Sequence, residues 1–249
     1  MPLSGHLDVA PIASRLPVLK DLDTPAWPLP HAEVLQLAWE VSDDTLALLP
    51  RAMHPAVPSY ATVCVTCYSE SPIGPFNVAL VRLMGRAGAH PRGYVLGAIA
   101  STPDAVRALR ERWGFPAELG SVALMRYHDQ IRAAVTRRGE AILEAALVNP
   151  EPISGADVQY IHSVTLARLE DGERTGPLLV QVDPHYTFHK AERGRPKLYR
   201  FERDAWNAGP LTPLHPIAAS FTACDTDLPQ IRFVMDADVP VAQGTRKIR

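Results

Sequence analysis

The chain is poor in lysine and cysteine, and it lacks long hydrophobic runs and a strong net charge. Its 249 residues carry a net charge of −2 and three cysteines, and the only lysines are Lys20, Lys190, Lys197 and Lys247. The weak charge argues against a nucleic-acid surface or attraction to anionic membranes. No segment is long enough to cross a bilayer, and the first residues do not resemble a signal peptide. With an odd number of cysteines, these absences predict a cytoplasmic protein.

Several common catalytic motifs are missing as well. The sequence has no glycine-rich dinucleotide motif, no P-loop, no G-x-S-x-G turn and no H-E-x-x-H helix, so those chemistries lack support. Cys64 and Cys67 have the C-x-x-C spacing, but residues three apart in a strand point to opposite faces and no second pair completes a zinc site. We therefore expect buried structural cysteines, no metal and no cofactor.

What the chain does contain is typical of a sheet. Its 24 prolines separate short alternating runs, which predict many strands joined by turns. The predicted strands are 31–41, 60–68, 76–83, 92–100, 121–128, 131–136, 141–148, 157–169, 177–182, 197–201 and 230–235. Gly139 in "TRRGEA" is suited to a hairpin turn between two of them.

Two helices are predicted from their end signals. One begins at "SDDTLALLP", with Ser42 as the N-cap and Pro50 as its limit. The other is "STPDAVRALRERWG", in which Thr102 caps the start and Gly114 ends the helix. We predict an irregular arm over residues 1–30, one α+β domain over 31–240 with a mostly antiparallel sheet closed as a barrel, and a tail over 241–249.

Two polar patterns deserve consideration as sites. In "DPHYTFH", an extended backbone would place Asp183, His185, Thr187 and His189 on one face, suited to a proton relay or a metal, or simply to a solvated surface or subunit contact. His162 shares a predicted strand face with Tyr160, and such a histidine is more often a hydrogen-bonded core residue than a catalyst. Both readings stay open at this stage.

Landmarks in order along the chain resemble the acetoacetate decarboxylase superfamily. They are "SESPIGPFNVALVRL", "PRGYVLGAIASTPDAVRALRERWGFPAELG", "DVQYIHSVTLARL", "LVQVDPHYTF" and "AWNAGPLTPLHPIAASFTACDTDLPQIRFV". The resemblance runs from about residue 50 to 235. It implies a cone-shaped, mostly antiparallel β-barrel with a few helices packed outside, assembled as a homo-oligomer.

The resemblance also implies where catalysis should lie, and there the sequence departs from the family. Decarboxylating members have two adjacent lysines after the aromatic-proline corner, one of which forms a Schiff base with a β-keto acid. The matching positions here are Ala117 and Glu118. Ala117 cannot form an imine, and an anionic Glu118 would raise the pKa of a neighbouring amine. The family's pocket carboxylates fall at Val63 and Val78, and its substrate arginine falls near Ala32.

We therefore predict an enzyme of secondary metabolism that acts on a carbonyl-containing, polyketide-like small molecule without an imine, by cyclase, dehydratase or other lyase or isomerase chemistry. The alternatives are a non-catalytic binding protein on the same fold, or a decarboxylase or aldolase with a displaced lysine, Lys190. The predicted catalytic residues are Glu118, His162 and Tyr186. The predicted substrate-binding residues are Val63, Tyr68, Asn77, Val78, Arg110, Phe115, Ala117 and Tyr160.

Overall fold

A computed structural model describes residues 4–88, 90–169, 176–239 and 245–248. Within these residues, sixteen strands belong to one sheet. They are β1 (Val18–Leu19), β2 (Trp27–Val41), β3 (His54–Pro55), β4 (Tyr60–Tyr68), β5 (Phe76–Ala87), β6 (His90–Ala100), β7 (Ala117–Leu119), β8 (Ser121–Arg126), β9 (Gln130–Arg137), β10 (Glu140–Pro152), β11 (Ser163–Leu169), β12 (Leu178–Val182), β13 (Tyr186–Phe201), β14 (Pro213–Leu228), β15 (Phe233–Asp236) and β16 (Thr245–Lys247).

The sheet is curled and mostly antiparallel. Its hydrogen-bonded order is β16-β15-β12-β11-β6-β5-β4-β2-β14-β13-β10-β9-β8, and only the β1–β11, β11–β6 and β6–β7 pairs are parallel. The β8 end returns to β5, where the Asn77 amide donates to the Val122 carbonyl at 2.8 Å. Within the described residues no pairing joins β16 to β8, so the predicted barrel is not closed by backbone hydrogen bonds.

Because side chains alternate along each strand, the curled sheet has an inner and an outer face, and the two faces pack against different parts of the chain. The inner face encloses the main core, which includes Leu35, Leu37, Val63, Val81 and Ile131. The outer face packs against α1 (Pro103–Trp113) through a second cluster, and elsewhere it is covered by residues 153–162, which we call the cover segment. No helix in the described ranges is long and apolar enough to span a membrane.

The second predicted helix is confirmed as α1. Its start is capped by Thr102, whose side chain accepts a hydrogen bond from the Ala105 amide at 3.2 Å. It ends at Gly114, whose left-handed φ of 68° suits glycine, and a Cβ there would lie 2.7 Å from the Ala167 Cβ. Trp113 is fully buried on the sheet side, so α1 holds the corner that follows it in a fixed position.

Other predicted boundaries are corrected by the structure. The helix after Ser42 is a 3-10 helix over Asp43–Leu48 without a side-chain cap. The strand predicted from residue 157 begins at Ser163, because Gly155–Asp157 form a 3-10 turn. The arm predicted over 1–30 contains β1 and the start of β2.

Two long strands were largely missed. The sequence predicted only 197–201 of β13 and none of β14. The prolines of β14 at 213 and 216 are accommodated where its register with β2 is irregular.

An ion pair joins β8 to β13 across the inner face. Glu192, 5% exposed, accepts two bonds from the Arg126 guanidinium at 2.5 and 2.7 Å, and the Lys190 amine lies 3.5 Å away. Hydrogen bonding from Arg126 outweighs burial and lowers the pKa of the Glu192 carboxyl. A carboxyl with a lowered folded-state pKa stabilises the fold above its unfolded pKa and loses that contribution as the pH falls through the folded value.

We expect Glu192→Gln to lower the free energy of unfolding by about 2 kcal/mol at neutral pH, because a charged, buried hydrogen-bonded pair is lost. Urea unfolding from neutral pH down to pH 3 should show the difference shrinking as the wild-type carboxyl is protonated. Glu202→Gln is the control, since Glu202 pairs with Arg200 at 3.0 Å on the surface. A loss at Glu192 no larger than at Glu202, or one independent of pH, would contradict the assignment.

Candidate functional site

The corner after α1 buries Ala117. The Phe115 amide donates to the Leu109 carbonyl, and β7 then pairs in parallel with β6. Ala117 is 2% exposed and lies with Phe115 and Val78 in the cluster between α1 and the sheet. The Arg110 guanidinium lies 3.4 Å from the Ala117 carbonyl oxygen, so Arg110 contacts the corner's backbone.

Glu118 points to the opposite side of β7 from Ala117. Its carboxylate forms an ion pair with the Arg137 guanidinium at 2.7 Å and is 40% exposed. Glu111, which follows Arg110 in α1, pairs with Lys20 at 2.7 Å. Glu118 is thus held by a cation from β9.

Val63 and Val78 lie on opposite faces of the sheet. Val63 pairs with Val81 across β4 and β5, whereas Val78 pairs with Thr66. Because Val78 and Val81 are three residues apart on one strand, these pairs face opposite sides. Val63 lies in the inner core and Val78 in the α1 cluster, so the two valines do not meet.

The three predicted tyrosines, Tyr68, Tyr160 and Tyr186, meet on the outer face. Tyr186 lies 5.1 Å from Tyr160 and 5.8 Å from Phe188, centroid to centroid, and Tyr68 packs on Phe76 at 4.9 Å. The Tyr160 hydroxyl lies 2.9 Å from the Thr222 hydroxyl and donates to the Val34 carbonyl at 3.2 Å. Burial raises the pKa of Tyr68, Tyr160 and Tyr186 above that of a free phenol. These hydroxyls are therefore neutral proton donors near pH 7.

The cysteines contribute no metal site. Cys64 and Cys224 lie in the aromatic cluster, whereas Cys67 faces the other side of β4. Burial, with a smaller contribution from Glu33, raises the pKa of the Cys67 thiol to about 11. All three are free thiols, and no group of metal-binding side chains occurs among the described residues.

Arg82 is a buried cation that the sequence prediction missed. It is 4% exposed, and its nitrogens lie 2.7 Å from the Ile161 carbonyl, 2.6 Å from Gln36 Oε1, 3.1 Å from Thr62 Oγ1 and 3.3 Å from Ser163 Oγ. All these partners are neutral. The signal was an arginine at an outer-face position of the apolar run "FNVALVRLM".

Arg82 and Tyr160 fasten the cover segment to the sheet. Arg82 donates to the Ile161 carbonyl and to the Ser163 hydroxyl, which lie on either side of His162 in the sequence. The Gln36 amide donates to the Gln159 carbonyl at 3.2 Å. On the other side, the Gly93 amide donates to the His162 carbonyl at 2.8 Å. The backbone of His162 is therefore held from both sides.

His162 lines a cleft of about 210 Å³ next to a partly buried ion pair between Arg92 and Asp183. Its Nδ1 lies 3.3 Å from Asp183 Oδ1, and Asp183 Oδ2 lies 3.0 Å from the Arg92 guanidinium, which is 9% exposed. Burial would raise the pKa of the Asp183 carboxyl, but His162 and Arg92 together hold it below its usual value. Asp183 is therefore ionised near neutral pH. The other lining residues are Gln181, His185, Pro229, Gln230, Arg232 and Phe233.

The histidines of "DPHYTFH" do not form one joint site, because each of them pairs with a different aspartate of β14. His185 Nδ1 lies 3.3 Å from Asp227, and His189 Nε2 lies 2.9 Å from Asp225. Both histidine side chains are more than half exposed. Of this motif only Asp183 and His185 line the cleft.

The four lysines lie at the surface. Lys20 is 65% exposed and bound to Glu111, and Lys190 is 50% exposed beside Glu192. Lys197 lies 5.9 Å from the Tyr199 ring centre, and its side chain is exposed, as is that of Lys247. None of them belongs to the buried cluster around Ala117.

The fold is shared with solved structures of low sequence identity. Acetoacetate decarboxylase from Legionella pneumophila is 17% identical, with a TM-score of 0.70 over 84% of this chain and 86% of that one. The enduracididine biosynthesis enzyme MppR with pyruvate is 16% identical, with a TM-score of 0.68 over 84% and 90%. An acetoacetate decarboxylase-like enzyme from Sphingomonas wittichii is 14% identical, with a TM-score of 0.65 over 85% and 92%.

Sequence comparison assigns the family. No curated protein sequence matches the chain significantly. The model of the acetoacetate decarboxylase (ADC) family, in contrast, matches residues 16–237, which include α1, the corner, the aromatic cluster and the His162 cleft. The chain therefore belongs to the acetoacetate decarboxylase family.

Proposed function

We propose that this protein is an enzyme that acts on a carbonyl-containing, polyketide-like small molecule without forming an imine. The observation that carries this proposal is the position of the lysines. All four are surface residues, while the buried corner position where the family resemblance expects the nucleophile holds the methyl group of Ala117.

An imine needs a neutral amine, and burial or a neighbouring cation usually supplies one near pH 7. Lys190, the best candidate for a displaced nucleophile, is half exposed and its ion-pair partner is the Glu192 carboxylate. The displaced-lysine alternative therefore gains no support from its environment.

Acid–base catalysis by His162 is better supported than imine chemistry at a lysine. Asp183 lies 3.3 Å from Nδ1 of His162, which leaves Nε2 to accept a proton from a carbon next to a substrate carbonyl. The resulting enolate oxygen would take hydrogen bonds from Gln230 and Arg232, which line the same cleft. The imidazolium then returns the proton to carbon, or gives it to a departing hydroxyl, which corresponds to isomerisation or dehydration.

The apolar part of such a substrate would lie against Pro229 and Phe233, which line the same cleft. Tyr160 and Tyr186 pack on each other in the aromatic cluster and are not among the residues that line this cleft. A neutral phenol such as Tyr186 could donate a proton or a hydrogen bond but could not act as a base near pH 7. MppR, which shares the fold, has been solved with pyruvate and with a condensation product of pyruvate and imidazole 4-carboxaldehyde, and this supports a carbonyl compound as the ligand.

The absence of an imine can be tested by borohydride trapping. We expect no mass increase when the protein is incubated with acetoacetate or pyruvate and sodium borohydride, because all four lysines are exposed and none lies in a buried pocket that could hold a carbonyl substrate against it. Intact-protein mass spectrometry provides the measurement, and a lysine-dependent aldolase treated in parallel is the positive control.

The same experiment separates the alternatives. An adduct that is lost in Lys190→Ala would establish the displaced lysine and overturn the proposal. If carbonyl compounds raise the melting temperature but are neither converted nor exchanged with solvent deuterium, the protein is a binding protein rather than an enzyme.

A further inference from the structure

A gap in the sheet lies far along β13 from the cleft. β13 and β14 pair from Tyr186 opposite Thr226 to Gly194 opposite Ala219. Beyond that point β13 continues to Phe201 paired with β10, and β14 extends back to Pro213 paired with β2. In the described part of the chain, residues 195–201 and 213–218 therefore each have one edge without a strand partner. We call the space between these two edges the strand groove.

The composition of the two edges fits this arrangement. Pro196 and Pro216 have no amide hydrogen, and proline is tolerated in strands where no ladder bond is needed. An open pocket of about 400 Å³ at one end of the groove is lined by Leu198, Tyr199, Arg200, Phe201, Arg203, Thr212 and Pro213. Leu214 and Ile217 are 50% and 52% exposed beside it. Exposed apolar side chains beside unpaired strand edges are typical of a site where another chain adds.

The rim of the strand groove is cationic. Arg193, Arg195 and Lys197 occupy alternate positions along β13, and their side chains are exposed. Arg132 of β9 lies on the same face as Lys197, because both residues pair with Ala146 of β10 from opposite sides. The Arg132 guanidinium and the Lys197 amine lie 5.5 and 5.9 Å from the Tyr199 ring centre. Among the described residues none of these four cations has an ion-pair partner. Glu202 and Asp204 lie beyond the other end of the groove, where Glu202 holds Arg200.

We propose that the strand groove binds an extended, acidic segment of a partner protein by strand addition. An added strand would hydrogen-bond to the free backbone groups, and its alternate side chains would recur about every 7 Å. That spacing places carboxylates opposite Arg195 and Lys197, which are themselves two residues apart. The apolar side chains of such a segment would face Leu198 and Phe201.

A protein segment fits better than a nucleic acid or a lipid surface. Polyanions are attracted by the field of the whole molecule, and this chain has a net charge of −2. Glu144, which pairs with Arg200 in the β10–β13 ladder, also places a carboxylate on the same outer face. A partner with separated carboxylates and hydrogen-bonding backbone tolerates such a mixed surface.

Fluorescence anisotropy with defined peptides tests this proposal. The probe is a labelled twelve-residue peptide of alternating valine and glutamate, compared with a valine–lysine peptide and with a valine–glutamate peptide interrupted by two prolines. We expect only the first to bind, and we expect Arg195→Glu with Lys197→Glu to weaken it by about tenfold or more at low salt. Arg86→Glu, an exposed charge reversal on β5, should change affinity less than about twofold.

Each other outcome would overturn the proposal. Equal binding of the proline-interrupted peptide would show charge attraction without strand addition. Stronger binding of single-stranded DNA or anionic vesicles would indicate a different partner. Failure of the probe to bind, together with a dimer that Arg195→Glu dissociates in sedimentation, would assign the groove to a second copy of this chain. None of these readouts depends on the proposed enzymatic activity.

Discussion

His162→Gln should lower the rate of proton exchange next to a substrate carbonyl by about 10²- to 10⁴-fold, the range lost when a general base is removed. Glutamine has no basic nitrogen, so the substitution removes proton transfer while leaving a polar side chain beside Asp183. Exchange of solvent deuterium into aryl ketones and 3-oxo esters, followed by NMR, gives the measurement. The same NMR spectra also measure the turnover of whichever of these compounds raises the melting temperature of the protein most.

His189→Gln is a closely matched control for this experiment. His189 also pairs with an aspartate, at 2.9 Å from Asp225, but it does not line the cleft. We expect its exchange rate to be unchanged. Equal losses in both variants, or an unchanged rate in His162→Gln, would refute His162 as the base and leave the fold assignment intact.

Arg82→Met should lower the free energy of unfolding by about 3 kcal/mol, because several buried oxygens lose their donor at once. Methionine fills much of the space of the arginine stem, so the loss reports the hydrogen bonds rather than a cavity. The Ile161 carbonyl and the Gln36 amide oxygen accept hydrogen bonds from the guanidinium at 2.7 and 2.6 Å. Both oxygens would lose this donor in the variant. Urea unfolding measures the change.

Hydrogen exchange locates the effect of the same substitution. If Arg82 fastens the cover segment, amides around residues 159–163 should exchange faster in Arg82→Met, while those of α1 keep their protection. Arg86→Met, on the same strand but exposed, should change stability by less than about 0.5 kcal/mol. A stability loss below about 1 kcal/mol, or faster exchange spread evenly over the sheet, would contradict the role given to Arg82.

Local sequence signals predicted the parts of the fold that depend on neighbouring residues. Thr102, Pro103 and Gly114 determined both ends of α1, because capping and positive φ involve only adjacent backbone. Alternation predicted the bounds of β4 correctly, and the turn at Gly139, with φ of 84°, is confirmed. β14 escaped prediction because its prolines are tolerated only through irregular pairing with β2.

The candidate site depended more on contacts between distant residues. The sequence singled out His162 and Asp183 separately, but their approach to Arg92 depends on the pairing of β6, β11 and β12. It likewise identified Tyr160 and Tyr186 without indicating that they pack together, and it gave Arg82 no role. Side chains far apart along the chain come together only when strand order and register are fixed.

By itself, the sequence determined the family, the corner that ends in Ala117 and the shortage of lysines, because these are properties of residue identity and order. Only the tertiary structure decided that Val63 and Val78 face opposite sides, that His162 lies beside an ionised Asp183, and that β13 and β14 separate to leave a cationic groove. The physical reason is register: a shift of one residue reverses the face of every side chain in a strand, and no local pattern specifies which distant strand will be its partner.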